Sequence, residues 1–286
     1  MSEALRVLDE AGVPYRVRKR ASAPPADAFE GERDVSLAAA DLERAERALA
    51  AAGWRRIYSF DGRHAFFVKV RDGRWAKLDA KLKGAPARGA RLSVRRRGPI
   101  VALVGPDGAG KSTVIEEVAA LIPLGVRVAY LGTRGASRGA GGRGSPKSAT
   151  RETAGVLKDT ARAARRLARE HWASARGSIV LCDRHPKELL AVRPRRPPPA
   201  AALERFLVRR LLPWPDALIV LEAPAEVLHA RKPEHPQERL EEWLRSYRAE
   251  LGPRGATFVD TTAPREETVR QVSELVWGAV ARRMGR

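Results

Sequence analysis

The sequence predicts an α/β fold, a parallel sheet flanked by helices, preceded by a small α+β domain. Three observations carry this reading. Beyond residue 98, short apolar runs without alternation interleave with helical stretches, as expected of strands buried on both faces. One such run, Ile100–Val104, leads into a glycine-rich loop and then a helix. Before residue 84 the pattern is different: helix, strand, helix, then strands around an Asp72-Gly73 turn that closes a hairpin.

In the larger block the expected strands are Ile100–Val104, Val126–Leu131, Ile179–Cys182, Ala217–Leu221 and Thr257–Val259. Helices are expected at 111–121, 152–175, 201–212, 224–231, 235–251 and 265–282. Strands alternating with helices give a parallel sheet covered on both sides. In the smaller block strands are expected near 34–37, 56–58, 65–70 and 75–82, with a helix over 39–52. The segment 84–98, rich in Gly, Arg and small residues, separates the blocks into domains 1–95 and 96–286.

At 286 residues and 44% apolar content, the chain can bury one large or two modest cores. The single cysteine, Cys182, excludes an internal disulfide framework and reads as a core thiol in a reducing, cytoplasmic setting. No apolar run reaches the length of a membrane span, and the first twelve residues read as a short amphipathic helix and not a signal peptide.

The net charge of +20 raises nucleic acid as a partner. The excess is nevertheless spread along the chain: residues 1–97 carry 22 basic and 13 acidic side chains, and residues 98–286 carry 32 and 21. A compositional origin, aided by affinity for phosphorylated ligands, is the favoured reading. The local exception is 132–151, with five basic residues and no acid.

Gly105-Pro106-Asp107-Gly108-Ala109-Gly110-Lys111-Ser112-Thr113 has the glycine and lysine spacing of a phosphate-binding loop, in the strand–loop–helix context that motif requires. Gly105, Gly108 and Gly110 let the backbone turn its N–H groups onto phosphate oxygens, and the helix from Lys111 aims its positive end at the same anion. Lys111 would reach the β- and γ-phosphates of ATP, with Ala109 and Thr113 completing the cradle, while the Ser112 hydroxyl would ligate Mg²⁺. Ile179–Cys182 is followed by Asp183 and Arg184; a carboxylate there would hold the metal, and the arginine could clamp a phosphate. Arg231, opening the stretch 231–239, is a candidate to close over the phosphates, with Arg239 a weaker one. His185 receives no role.

Residues 99–286 resemble thymidylate kinases and the broader thymidylate kinase-like P-loop kinases, through GPDGAGKST at 105–113, CDRH at 182–185, the arginine-bearing segment 231–239 and the closing strand with Thr261-Thr262. The resemblance implies a sheet of order 2-3-1-4-5, ATP with Mg²⁺ as donor, an acceptor sugar contacted by Asp107, an Asp183-Arg184 pair between acceptor and donor, and a lid beginning at Arg231. The stretch 132–151, where acceptor-binding residues are expected, offers glycine and arginine and little to form a nucleobase pocket. The expected activity is therefore transfer of the γ-phosphoryl of ATP to a nucleotide or related small molecule. A polynucleotide 5′-kinase and a non-catalytic nucleotide-binding module are the alternatives, and a homodimer stays open. A GTPase is disfavoured, since no Asn-Lys-x-Asp stretch occurs.

Residues 29–83 resemble, more distantly, a nucleotidyltransferase-type domain that has lost activity and serves recognition or assembly. Asp34-Val35-Ser36 stands where that superfamily carries paired metal-binding carboxylates, and Asp79 where it carries the third. Ser36 would remove one ligand, which favours structural roles for Asp34 and Asp79.

Overall fold

The computed structural model describes residues 2–18, 31–59, 62–85, 96–132, 149–192 and 196–285. Two five-stranded sheets result. The first runs β1-β2-β5-β4-β3, built from β1 (Tyr15–Val17), β2 (Gly31–Ala38), β3 (Arg55–Ile57), β4 (His64–Arg71) and β5 (Arg74–Lys83). Helices α1 (Glu3–Glu10) and α2 (Leu42–Ala51) pack together and bury Leu8 and Leu49 in the same apolar cluster as Val35, Phe67 and Leu78. β4 and β5 form the hairpin at Asp72-Gly73, where Asp72 has φ 51° and Gly73 φ 73°. The remaining close neighbours differ in direction: β2 runs parallel to β5, whereas β1 lies antiparallel to β2. The sequence gives no warning of the three-residue β1, which is too short for a periodic pattern.

The second sheet is all-parallel, in the order β10-β9-β6-β8-β7. Its strands are β6 (Ile100–Val104), β7 (Val126–Tyr130), β8 (Ile179–Asp183), β9 (Ala217–Glu222) and β10 (Thr257–Asp260). Counted from β6, this is the 2-3-1-4-5 order expected of a P-loop kinase-type sheet. Every residue of the central β6 is buried, which is why its sequence is unbroken Ile-Val-Ala-Leu-Val. The covering helices are α3 (Lys111–Leu121), α4 (Ala149–Ala175), α5 (Pro198–Leu211), α6 (Ala225–Arg231), α7 (Gln237–Leu251) and α8 (Arg265–Met284).

Boundaries differ from the sequence reading where proline chemistry decides them. α5 starts at Pro198, since a proline in the first turn lacks only an N–H that would be unpaired. α7 starts at Gln237, because Pro236 holds the extended N-cap position. Most of 84–98 and of 132–151 lies outside the described residues, as do 193–195.

The two sheets meet across α8. Trp75 of β5 donates from Nε1 to Ser273 Oγ at 2.7 Å, and Ser273 Oγ donates to the Gly73 carbonyl at 2.7 Å. The Trp75 ring meets Trp277 edge-on at 5.5 Å, and Ile57, Val68 and Trp75 belong to the same buried cluster as Val272, Val276 and Val280.

Candidate functional site

The site forms at the carboxyl edge of the parallel sheet, where β6 and β8 deliver their loops. Gly105 leaves β6 with φ 141°, and a Cβ there would lie 2.3 Å from the Leu221 carbonyl oxygen of β9. Glycine is therefore required at that position both by backbone conformation and by the close approach of β9. Gly108 (φ 89°) and Gly110 (φ 78°) complete a loop that ends as the N-cap of α3. Positive-φ glycines ahead of a helix N-terminus are the backbone arrangement that suits an anion. Ala109 is fully buried within the loop.

Lys111 is buried, and its ammonium donates to the carbonyls of Gly105 at 3.0 Å and Pro106 at 2.7 Å. Burial, and then the charge of Arg184, pull its pKa below the usual lysine value; Glu188, Asp107 and Asp183 oppose them. An anion in the loop would reinforce the charged form. Ser112 and Thr113 occupy the exposed first turn of α3. The Ser112 hydroxyl donates to Asp183 Oδ2 at 2.8 Å, joining the loop to the end of β8. Two oxygen donors from different elements, both at the solvent side of the loop, suit a hard cation such as Mg²⁺.

Arg184 follows Asp183 with φ 66°, a left-handed conformation that is uncommon for a residue with a side chain. Its N–H donates to the Leu103 carbonyl at 2.9 Å, which fixes that backbone against β6. The guanidinium bridges two carboxylates: Nη2 donates to Asp107 Oδ1 and Nη1 to Glu188 Oε1 at 3.1 Å. Burial alone would lower the Arg184 pKa, but Glu188 and Asp107 outweigh it and hold the group above its ordinary value.

Glu188 and Tyr247 are additions that sequence reasoning missed. Glu188 sits on the 3₁₀ turn Pro186–Leu190 and is buried. Its Oε1 also accepts from the Tyr247 hydroxyl of α7 at 2.5 Å and faces the Gly105 N–H at 3.5 Å. The available signal was a lone carboxylate four residues after Arg184, directly before the apolar run Leu189–Val192.

His185 lies beneath the site. It is buried, Nδ1 accepts from the Lys187 N–H at 3.2 Å, and burial, with Lys187 and His171, pulls its pKa down to about 3. Cys182 is likewise buried, its thiol pushed up to about 12 chiefly by burial. Both are core groups; the sequence suggests this for Cys182 and gives His185 no role.

Lys111, Asp107, Ser112, Asp183 and Arg184 thus come together, whereas Arg231 stands apart from them. Its guanidinium donates to Thr261 Oγ1 at 3.1 Å and to the Thr261 carbonyl at 2.8 Å, at the end of β10. Arg239 stacks on Trp243, 5.2 Å from the ring centroid. From the same connection, His235 Nε2 reaches to 3.9 Å from Asp107 Oδ2.

In the first sheet, parallel pairing sets Asp34 directly beside Asp79, with Ser36 beside Lys81. The carboxylate two residues before Asp34, Glu32, joins them: one ligand oxygen from each of Glu32, Asp34 and Asp79 lies within 4.8 Å of the others. The sequence reading had looked two residues after Asp34, to Ser36, and so missed Glu32. Two side chains already face this group: His64 Nδ1 lies 2.6 Å from Asp79 Oδ1, and Lys77 Nζ donates to Glu32 Oε1 at 2.7 Å.

No protein-family pattern matches the chain, and no curated protein matches it. Among solved structures, a thymidylate kinase from Candida albicans is similar at 15% identity and a TM-score of 0.45, over 64% of this chain and 92% of that one. Among the described residues, no helix is long and apolar enough to cross a membrane.

Proposed function

We propose that this chain is an ATP-dependent phosphotransferase that moves the γ-phosphoryl of ATP to a nucleotide or related small-molecule acceptor. The observation that carries the reading is the 2.8 Å contact between Ser112 Oγ, at the end of the glycine loop, and Asp183 Oδ2, at the end of the neighbouring parallel strand. A lone glycine-rich turn has no use for a carboxylate opposite it, whereas a metal–triphosphate site does. Ser112 and Asp183 would hold Mg²⁺ directly or through water, and the bound ion would offset charge on the phosphates.

In this reading the N–H groups of 108–113 hold the β- and γ-phosphates. Lys111 exchanges its contacts with the Gly105 and Pro106 carbonyls for phosphate oxygens. Asp107 orients the acceptor, and Arg184 neutralises charge between acceptor and donor. An acceptor oxygen attacks the γ-phosphorus while the bond to the ADP oxygen breaks. The protein contributes positioning and preorganised charge rather than covalent chemistry. Arg231 could serve by bracing the Thr261 turn, a different part from the lid that the resemblance implied.

The division into 1–95 and 96–286 is proposed on the same footing, with the first unit serving recognition or assembly. Its own apolar cluster around Leu8, Leu37 and Leu78 supports that division.

The test is ADP release with nucleoside monophosphates, nucleosides and phosphosugars, in wild type and Lys111→Ala. Acceptor-stimulated release is expected in wild type and absent in the variant. Release undiminished in Lys111→Ala would sink the reading. ATP binding without acceptor-stimulated release across the panel would favour a non-catalytic module.

A further inference from the structure

α4 has two faces of opposite character. Leu167, Glu170 and Ser174 are buried, and Val156 is buried against Ala200 and Leu207 of α5. Lys158, Arg162, Arg165, Arg169, Trp172 and, just past the last turn, Arg176 are all exposed. Their spacings of three and four residues place the six within an arc of about 80°, in a straight line some 27 Å long at about 1.5 Å per residue. No acidic residue lies on that line. Asp159 and Glu170 sit on the flanks, where Asp159 binds Arg162 at 2.9 Å and Arg196 at 2.5 Å, and Glu170 binds Arg127 at 2.5 Å. Among the described residues, Lys158, Arg165 and Arg169 make no ion pair.

At the lower end of the line, α4 and edge strand β7 enclose an open groove of about 790 Å³ lined by Arg127, Arg169, Trp172, Arg176, Val126 and Ser178. Val126 and Ser178 mark the amino ends of β7 and β8, so the groove lies at the opposite edge of the sheet from the glycine loop. Trp172 is 55% exposed, with the Arg176 guanidinium 5.6 Å from its ring centroid.

We propose that this face of α4 is a docking surface for single-stranded nucleic acid, with the cations of the line tracking the phosphates and Trp172 stacking a base. The charge selects the partner. A second copy of the chain presenting the same stripe would be repelled, and a polyanion is attracted. The lone aromatic selects a strand with accessible bases, because a duplex keeps its base faces stacked away from an indole. A membrane surface would call for several apolar side chains along the stripe, and Trp172 stands there alone. The inference is independent of the phosphotransferase reading. Cations dispersed in the sequence of α4 are gathered onto one face by helical geometry.

The test uses the full chain and a labelled twelve-nucleotide oligothymidylate, with fluorescence anisotropy across a salt series. Binding should weaken with salt, and Arg165→Ala/Arg169→Ala should reduce the log–log slope by about 1.4, at about 0.7 per phosphate contact. Trp172→Ala should weaken binding about tenfold with little change in slope. Equal affinity of wild type and a variant combining these three substitutions would overturn the proposal. So would a duplex bound as tightly as the single strand, with Trp172→Ala indifferent. Capture by anionic phospholipid vesicles without oligonucleotide binding would assign the surface to membranes instead and overturn it equally. All three side chains are exposed, and an unchanged unfolding midpoint in the variants would separate lost binding from lost fold.

Discussion

Arg184 donates to the buried carboxylate of Glu188 at 3.1 Å from a backbone held at φ 66°. Arg184 is thereby fixed at both ends, by its backbone N–H on β6 and by its guanidinium between Glu188 and Asp107. Glu188 in turn ties the glycine loop to α7 through Tyr247. Glu188→Ala would leave Arg184 short of a counter-charge and the Tyr247 hydroxyl without its acceptor. The expected loss is about 3 kcal/mol of stability, the lower end for breaking a buried pair, since Arg184 retains Asp107. Glu188→Gln keeps an acceptor oxygen and should lose less. Urea midpoints check the order, and acceptor-stimulated ADP release should fall more in Glu188→Ala than its residual stability explains.

Much of this candidate site was legible because local chemistry brings it out. A glycine loop between an apolar strand and a helix singles out Gly105, Lys111 and Ser112 as candidates, and a carboxylate closing a buried strand singles out Asp183. Glu188 and Tyr247 were hidden because their meaning lies in contacts across 59 residues of sequence. Arg231 was placed by its segment, but a side chain at the end of α6 can reach either the loop or the turn after β10, and only the fold decides for Thr261. In the first block four of the five strands were anticipated, and the three-residue β1 was not. The partnership of Asp34 with Asp79 and Glu32 depends on which strands pair and in what register, which period-two patterns leave open.

Acid should weaken the fold through His185. Burial lowers its pKa from the unfolded value of 6.5 to about 3, so between these limits the unfolded chain binds a proton that the folded chain does not. The stabilising contribution is complete above pH 6.5 and declines as pH falls toward 3, by on the order of 1.4 kcal/mol per pH unit within that window. His171, also lowered by burial, acts in the same direction. His185→Asn retains an acceptor for the Lys187 N–H, and should flatten the slope of stability against pH between about 6.5 and 4.5. Denaturant midpoints across that range measure it; an unaltered slope would remove His185 as the cause.

The contact between the sheets should be cooperative, because it rests on a polar chain inside an apolar cluster. Trp75 donates to Ser273, and Ser273 donates to Gly73, so each hydroxyl and N–H in the chain is satisfied only while β5 stays on α8. Trp75→Phe preserves most of the ring's bulk and deletes the indole N–H, for an expected loss of about 1 kcal/mol. Trp75→Ala also empties the space against Trp277, for about 3–5 kcal/mol. The two effects separate in a double-mutant cycle of Trp75→Phe with Ser273→Ala, read by thermal unfolding. A coupling energy of at least about 0.5 kcal/mol is expected for residues in direct contact. Strict additivity, or a Trp75→Ala variant as stable as wild type, would mean that the first sheet folds without support from α8. Coupling would instead make α8, which packs on α3, the helix that follows the glycine loop, the route by which the first 85 residues bear on the site.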